Sequence, residues 1–261
     1  MIEMKKAIAI LMLLFVAATG SAQNELYDEP VVIYSNQHYG GLQLNTNGYG
    51  AYFNFGINKG AYKVRLFTFD LSFVKHEKEA RSYSSDPNAR AYFYGKQNNL
   101  YVLRTGIGEK KIIAEKLRKN GVQISRCWSA GPLLGFTKPV YLEIVKVDEQ
   151  LTATYYLETE RFDPDKHYPE NIYGRASGLR GLGEMKVHPG VFFRYGYNFE
   201  YSNYKDGLKG LEVGAALDVY PKKIEIMSEK ILETYNKGAT NHQFFLSLYV
   251  NLFFGRKYNK D

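Results

Sequence analysis

Charged side chains recur on one parity of the alternating segments of this sequence, at a spacing suited to a buried ion-pair network. This set comprises Asp70, Arg104, Glu143, Arg194, Glu200, Glu212 and Asp218. Residues of the opposite parity in the same segments are mostly apolar or aromatic. Because an unpaired buried charge is costly, we expect Arg104 and Arg194 each to pair with a carboxylate of this set. A structural plug is the favoured interpretation, and a pore-lining or proton-sensitive network is the functional alternative.

A second group of charges lies in residues 109–120, EKKIIAEKLRKN, where the period of two breaks down. Its basic residues are Lys110, Lys111, Lys116, Arg118 and Lys119. Ile112, Ile113 and Leu117 sit at helical spacing, which predicts a short amphipathic helix or a basic loop. Such a segment could dock a protein partner or bind phosphate groups.

The residues needed for catalysis or metal binding do not form a recognisable motif. None of the five histidines (His38, His76, His167, His188 and His242) lies in a serine-containing nucleophile motif. C-x-x-C, H-E-x-x-H and P-loop patterns are missing, and Cys127 is single. A metal site in the loop that carries His167 and His188 is a minor alternative to plain surface residues. We therefore expect no catalytic residue, no metal and no cofactor.

The elements that must position these charges are β-strands, because the apolar residues alternate with period two. The alternation is clearest in 190–202 and in 242–254, where one face is continuously apolar. Ten segments qualify: 40–45, 49–57, 62–75, 98–107, 122–136, 139–147, 151–158, 190–202, 210–220 and 242–254. The sequence therefore predicts an all-β, antiparallel fold.

The N-terminal segment bears on the environment of these strands. Residues 1–22 carry Lys5 and Lys6, an apolar run and then small residues, which is typical of a secretory signal peptide. The run is too short for a spanning helix, but alternating strands can cross a bilayer with only one apolar face. Tyr occurs 23 times and Phe 16 times, which suits the aromatic girdles of a membrane barrel. A soluble sandwich would show the same alternation, but these features together favour a transmembrane β-barrel.

The predicted organisation is a signal peptide at 1–22, a periplasmic leader at 23–39, the barrel at 40–255 and a tail at 256–261. Ten strands are preferred because an even number is expected and because most long connections then lie on one side of the membrane and the short turns on the other. Connections 76–97, 159–189 and 221–240 would lie outside, and 58–61, 148–150, 203–208 and the basic 109–120 in the periplasm. The alternative of eight strands merges 41–57, drops 151–158 and exchanges the sides of 76–97 and 109–120.

These strands, with the closing apolar strand 242–254 and the segments GLQLNTNGYG at 41–50 and YGKQNN at 94–99, resemble small outer-membrane β-barrels of Gram-negative bacteria. The chain is most similar to PorT-like and related barrels of the Bacteroidota. The resemblance implies an outer-membrane location and an accessory or structural role beside secretion or assembly machinery.

The partners expected on these grounds are outer-membrane lipid, lipopolysaccharide and a protein of an envelope complex. The net charge of +7 suits phosphate-bearing surfaces, whereas nucleic acid is a poor partner for an exported chain. A surface-exposed binding protein, a narrow channel and, last, a lipid-modifying enzyme are the alternatives. Basic residues of 109–120 would meet lipopolysaccharide phosphates if outside, and would dock a periplasmic protein if inside.

Overall fold

The computed structural model describes residues 34–84, 86–116, 121–148, 154–204, 206–231 and 240–259. The predicted signal peptide, most of the predicted leader, and Leu117, Arg118 and Lys119 of the basic segment lie outside these ranges. Within the described ranges, no helix has the length and hydropathy needed to cross a membrane.

Strands make up nearly all of the regular structure. They are β1 (Asn36–Asn45), β2 (Gly48–Asn58), β3 (Lys63–Val74), β4 (Arg81–Ser82), β5 (Tyr92–Phe93), β6 (Asn98–Ala114), β7 (Gln123–Pro139), β8 (Tyr141–Asp148), β9 (Thr154–Arg161), β10 (Ile172–Arg175), β11 (Lys186–Glu200), β12 (Gly207–Val219) and β13 (Phe244–Tyr258). A short 3-10 turn spans Leu182–Glu184. The predicted all-β, antiparallel fold is confirmed.

Eight strands close into one antiparallel barrel in the order β1-β13-β12-β11-β7-β6-β3-β2. The preferred count of ten is therefore not confirmed, and the alternative of eight fits. The predicted strands 139–147 and 151–158 do form, as β8 and β9, but they pair with β10 in a separate sheet. They are excluded because β7 already pairs with β6 on one edge and with β11 on the other, which leaves no free edge.

The connections sort into two groups because neighbouring barrel strands are antiparallel. One end of the barrel, the long-loop end, carries the connections 46–47, 75–97, 140–185 and 220–243. The other, the short-turn end, carries 59–62, 115–122 and 201–206. Residues 76–97 and 109–120 thus lie toward opposite ends in an eight-stranded barrel too. The eight-strand alternative exchanged their sides because it merged 41–57 into one strand. The structure keeps β1 and β2 as two strands, so the ends follow the chain in the order that the count of ten gave.

Three other strand boundaries differ from the sequence-based expectation. Residues 109–114 of the segment expected to be a helix or loop instead continue β6, which ends at Ala114. Pairing with β3 and β7 extends it: Lys111 lies opposite Lys63 on one side and Arg126 on the other. β1 begins at Asn36 and pairs with Tyr258, so β13 also takes in the start of the expected tail.

The sheet β8–β10 and the two-stranded sheet β4–β5 together form what we call the rim domain, at the long-loop end. This domain has its own apolar core. Leu142, Ile144, Phe162 and Ile172 are all at most 5% exposed within it. Asp148 of the connection 148–150, expected in the periplasm, is the last residue of β8 in this domain, and residues 149 and 150 lie outside the described ranges. The long insertion between β7 and β11 is therefore a folded unit.

The barrel is apolar outside and polar inside, which reverses the pattern of a soluble domain. On β13 the outward side chains Phe244, Leu246, Leu248, Val250, Leu252 and Phe254 are 40–72% exposed. The inward ones between Phe245 and Phe253, including Ser247, Tyr249 and Asn251, are at most 8% exposed. The outward apolar run Phe244–Phe254 rises about 3.3 Å per residue, and a tilt of about 40° reduces its height to about 25 Å. That height matches the apolar band of outer-membrane barrels.

Candidate functional site

Arg104 holds the centre of a buried ion-pair network inside the barrel. β6 directs it inward between Asp70 of β3 and Asp218 of β12, and all three side chains are at most 4% exposed. The guanidinium pairs with Asp70, and its Nε donates to Asp218 Oδ1 over 2.8 Å. Ser72 links both groups, because it accepts from Arg104 over 3.0 Å and donates to Asp70 over 2.7 Å. One cation thus bridges two carboxylates on different sides of the barrel.

Arg194 of β11 extends this network across the lumen. Its guanidinium lies 3.2 Å from Asp70 Oδ2 and 4.8 Å from the centre of the Tyr249 ring, and it donates to Gln43. Glu212 accepts from Tyr249 over 3.0 Å and from Asn198 over 3.3 Å. These contacts satisfy charges that would otherwise be costly in so small an interior.

Glu200 forms a separate cluster toward the short-turn end. Its carboxylate lies 2.9 Å from Lys257, 3.3 Å from Lys116 and 3.8 Å from Lys110. Lys110 is only 2% exposed, and Lys116 also donates to the carbonyl of Ser202 over 2.8 Å. Lys110 is therefore buried in the lumen and cannot dock a partner or bind lipid phosphate, whereas Lys116 pairs with Glu200 but keeps a side chain that is 20% exposed, so its docking role stays a prediction. Of that set, Lys111 points outward and is exposed.

Glu143 is the member of the predicted lumen set that the structure places elsewhere. It belongs to β8 in the rim domain, where it pairs in register with Thr159 of β9 and Gly174 of β10. Its placement in the lumen was wrong because the strand that carries it is not part of the barrel. The remaining six predicted residues are all buried and lie on barrel strands.

Two luminal partners were not anticipated, although the sequence contains a signal for each. Lys257 follows the last aromatic residue, but the period of two in β13 continues through Gly255 and assigns it the inward parity. Gln43 lies on the inward parity of the short first segment. Extending the alternation past the apolar run would have found Lys257, and reading the polar parity of the first segment would have found Gln43.

The long-loop end of the lumen is closed by an apolar plug. Residues 220–227 bring Tyr220, Ile224, Ile226 and Met227 against inward side chains of the barrel such as Leu133, and each of the five is at most 3% exposed. Gly135 permits this contact, because a Cβ there would lie 2.9 Å from the Tyr220 ring. Tyr39, Leu66 and Phe253 form a second apolar cluster on inward positions. The cavity near Arg194 and Glu212 has a volume of about 20 Å³, which suits about one water molecule.

A further buried ion pair lies on the outer side of the wall at the long-loop end. Lys96 and Glu79 are 2.7 Å apart and 3% exposed, and the Lys96 ammonium lies 5.3 Å from the Phe73 ring. Burial lowers the pKa of Lys96, and the positive charges of Lys75 and Arg175 act in the same direction, whereas Glu79 opposes them. This pair fastens the connection 75–97 to the barrel wall.

Chemistry that needs a metal cluster finds no support in the part of the chain that the structure describes. There, no group of three or more His, Cys, Asp or Glu side chains could hold a metal ion. His167, a candidate from the sequence, instead pairs with Glu160 over 2.9 Å in the rim domain. No protein-family model matches this chain, and no curated protein matches it.

Proposed function

We propose that this chain is a non-catalytic, integral outer-membrane β-barrel that displays the rim domain as a binding surface. The observation that carries the proposal is the reversal of polarity, with an apolar outer wall about 25 Å high around a charged interior. Exposing an apolar wall of this size to water would be unfavourable, and such a surface marks contact with a membrane or a partner. Lipid covers a continuous cylindrical surface better than a protein partner does.

The filled interior argues against transport and in favour of binding. Arg104 and its carboxylate partners occupy the middle of the lumen, and residues 220–227 close one end. A barrel of eight strands is just wide enough for its own side chains. The rim domain, by contrast, is a separately cored unit at the end where all long connections meet. A surface-exposed binding protein therefore accounts for more of the fold than a channel does.

An accessory role in an envelope secretion or assembly complex is the second candidate, and the sequence resemblance is what favours it. Affinity purification of the full chain from gently solubilised membranes tests this role directly. A partner at fixed stoichiometry supports the accessory role. A monomer recovered alone leaves the binding surface as the better account.

Sidedness is the first testable consequence. We expect the long-loop end to face outward, because bacterial barrels keep short turns in the periplasm. Single cysteines at Ser177 and at Glu115, both exposed and toward opposite ends, are compared in a Cys127→Ala background. An impermeant maleimide added to intact cells should label Ser177→Cys and leave Glu115→Cys unlabelled until the cells are lysed. The reverse labelling pattern would mean that the long-loop end faces the periplasm, which would refute display of the rim domain on the cell surface.

The absence of ion conductance is the second testable consequence. Because the described lumen holds a cavity of only about 20 Å³ beside Arg194, purified protein in planar bilayers should show no discrete current steps. An open porin reconstituted in the same way serves as the positive control for insertion. Reproducible steps at low voltage would contradict the plug and revive the narrow channel.

A further inference from the structure

A pocket of about 320 Å³ lies at the long-loop end, between the outer wall of the barrel and the rim domain. We call it the rim pocket. Its floor is a row of outward rings from β2, β3 and β6, namely Tyr49, Phe73 and Tyr101. Neighbouring rings in this row are 5.6 Å and 5.3 Å apart. The floor is thus the upper edge of the apolar outer wall.

The remaining lining of the rim pocket is strongly basic. Its charged residues are Lys75, Glu79, Arg81, Lys96, Lys138, Arg175 and Arg180, six cations and one carboxylate. Glu79 is already paired with Lys96. Lys138 is buried and donates to the carbonyls of Gly178 and Arg180, which shapes the wall of the pocket. The pocket therefore carries a surplus of positive charge that its own carboxylate does not neutralise.

Four of these cations remain available to a ligand. Lys75, Arg81, Arg175 and Arg180 are exposed, and no carboxylate among the described residues lies within 4.0 Å of their charged nitrogens. Like charges gathered in this way repel one another, and a bound anion would relieve that repulsion. Arginine is well suited to the purpose, because its planar fork can hold two phosphate oxygens at once.

The position of the rim pocket selects the kind of anion. Below Phe73, the same face of β3 continues as Leu71, Phe69 and Phe67, which are 37–55% exposed. Lys75 follows Phe73 by two residues, directly after the end of β3. An anionic group bound in the pocket would thus lie next to an apolar surface that continues down the barrel wall. A small soluble anion would leave that continuity unused, whereas an amphiphile would use both parts.

We propose that the rim pocket binds the phosphate-bearing headgroup of a membrane amphiphile, whose hydrocarbon chains lie along the outer wall below it. This inference rests on the proposed membrane location of the barrel, which places the top of the apolar wall at the level of lipid headgroups. It assigns lipid recognition to the rim pocket in place of the basic segment 109–120.

The test uses the full mature chain in dodecyl maltoside micelles, titrated with fluorescently labelled phosphatidic acid. In the double variant Arg81→Gln/Arg175→Gln, binding should weaken by about tenfold or more, since each charge-assisted contact is strong. The matched control is Arg65→Gln/Lys111→Gln, which removes two exposed cations from the outer wall toward the short-turn end. Its affinity should stay within about twofold of the wild-type value, because these residues lie outside the pocket.

Competition experiments distinguish a phospholipid headgroup from free inorganic phosphate as the ligand. Unlabelled phosphatidic acid should displace the probe, whereas phosphatidylcholine and millimolar inorganic phosphate should not. Displacement by inorganic phosphate at the concentration where phosphatidic acid acts would overturn the amphiphile proposal, and so would equal losses in the two double variants. Because the assay is done in detergent, it can fail while vesicle insertion succeeds, which would leave the proposed membrane location standing.

Discussion

Replacing Arg104 with leucine should lower the free energy of unfolding by about 3–5 kcal/mol, because it leaves the buried Asp218 without a cation and Asp70 with Arg194 alone. Asp70 and Asp218 are each about 3% exposed and both pair with this guanidinium. Arg194 can still reach Asp70, but no described cation other than Arg104 pairs with Asp218. The loss is measured by urea unfolding in phosphatidylcholine vesicles, followed through the fluorescence of Trp128, the single tryptophan.

The control for this prediction removes the stranded charges as well. In the triple variant Asp70→Asn/Arg104→Leu/Asp218→Asn, most of the lost stability should return, because neutral amides cost far less to bury than unpaired carboxylates. A loss of under about 1 kcal/mol in the single variant is the value typical of solvent-exposed ion pairs. That result would contradict a dry, plugged lumen.

The second large effect is expected on the opposite face of the barrel wall. Leu248 is 63% exposed and lies within the apolar band of β13. If lipid covers that band, Leu248→Arg should cost about 2–4 kcal/mol, as arginine does near the middle of a bilayer. The measurement is again the free energy of unfolding in vesicles, together with the folded fraction seen as a heat-modifiable band on electrophoresis.

Two variants of the same strand and face serve as controls. Phe254→Arg lies at the edge of the band, beside Arg256, where the charge itself should cost only about 0–1 kcal/mol. Leu248→Thr reports the loss of the leucine without adding a charge. Equal losses for arginine at positions 248 and 254 would be inconsistent with a lipid-facing band, because depth would then have no effect.

Much of the wall could be predicted from local alternation. Parity alone groups Arg104, Arg194, Glu200, Glu212 and Asp218 on the polar face of their strands, since side chains of a strand alternate between two faces, and the structure shows that this face is the inner one. The same rule groups Leu248 with the opposite, apolar face. Parity cannot tell which face is the interior of a closed barrel and which is exposed, because a soluble sandwich gives the same pattern.

Strand partners, by contrast, are a long-range property. The segments of β8 and β9 were predicted as barrel strands, yet Glu143 lies outside the lumen because β7 takes β11 as its neighbour. The basic stretch around Lys110 looks helical in isolation, but pairing with β3 and β7 makes it a strand and turns Lys110 inward. Tertiary context overrides weak local propensity in this way.

The sequence by itself determined that this protein is built from alternating antiparallel strands, with charges on one face and apolar side chains on the other. Only the tertiary structure decided that eight strands close the barrel, that β8–β10 form a rim domain, and that Lys75, Arg81, Arg175 and Arg180 meet in one pocket. The physical reason is that alternation is imposed by the geometry of each strand, whereas closure and pocket formation depend on hydrogen-bonded edges that are far apart in the chain.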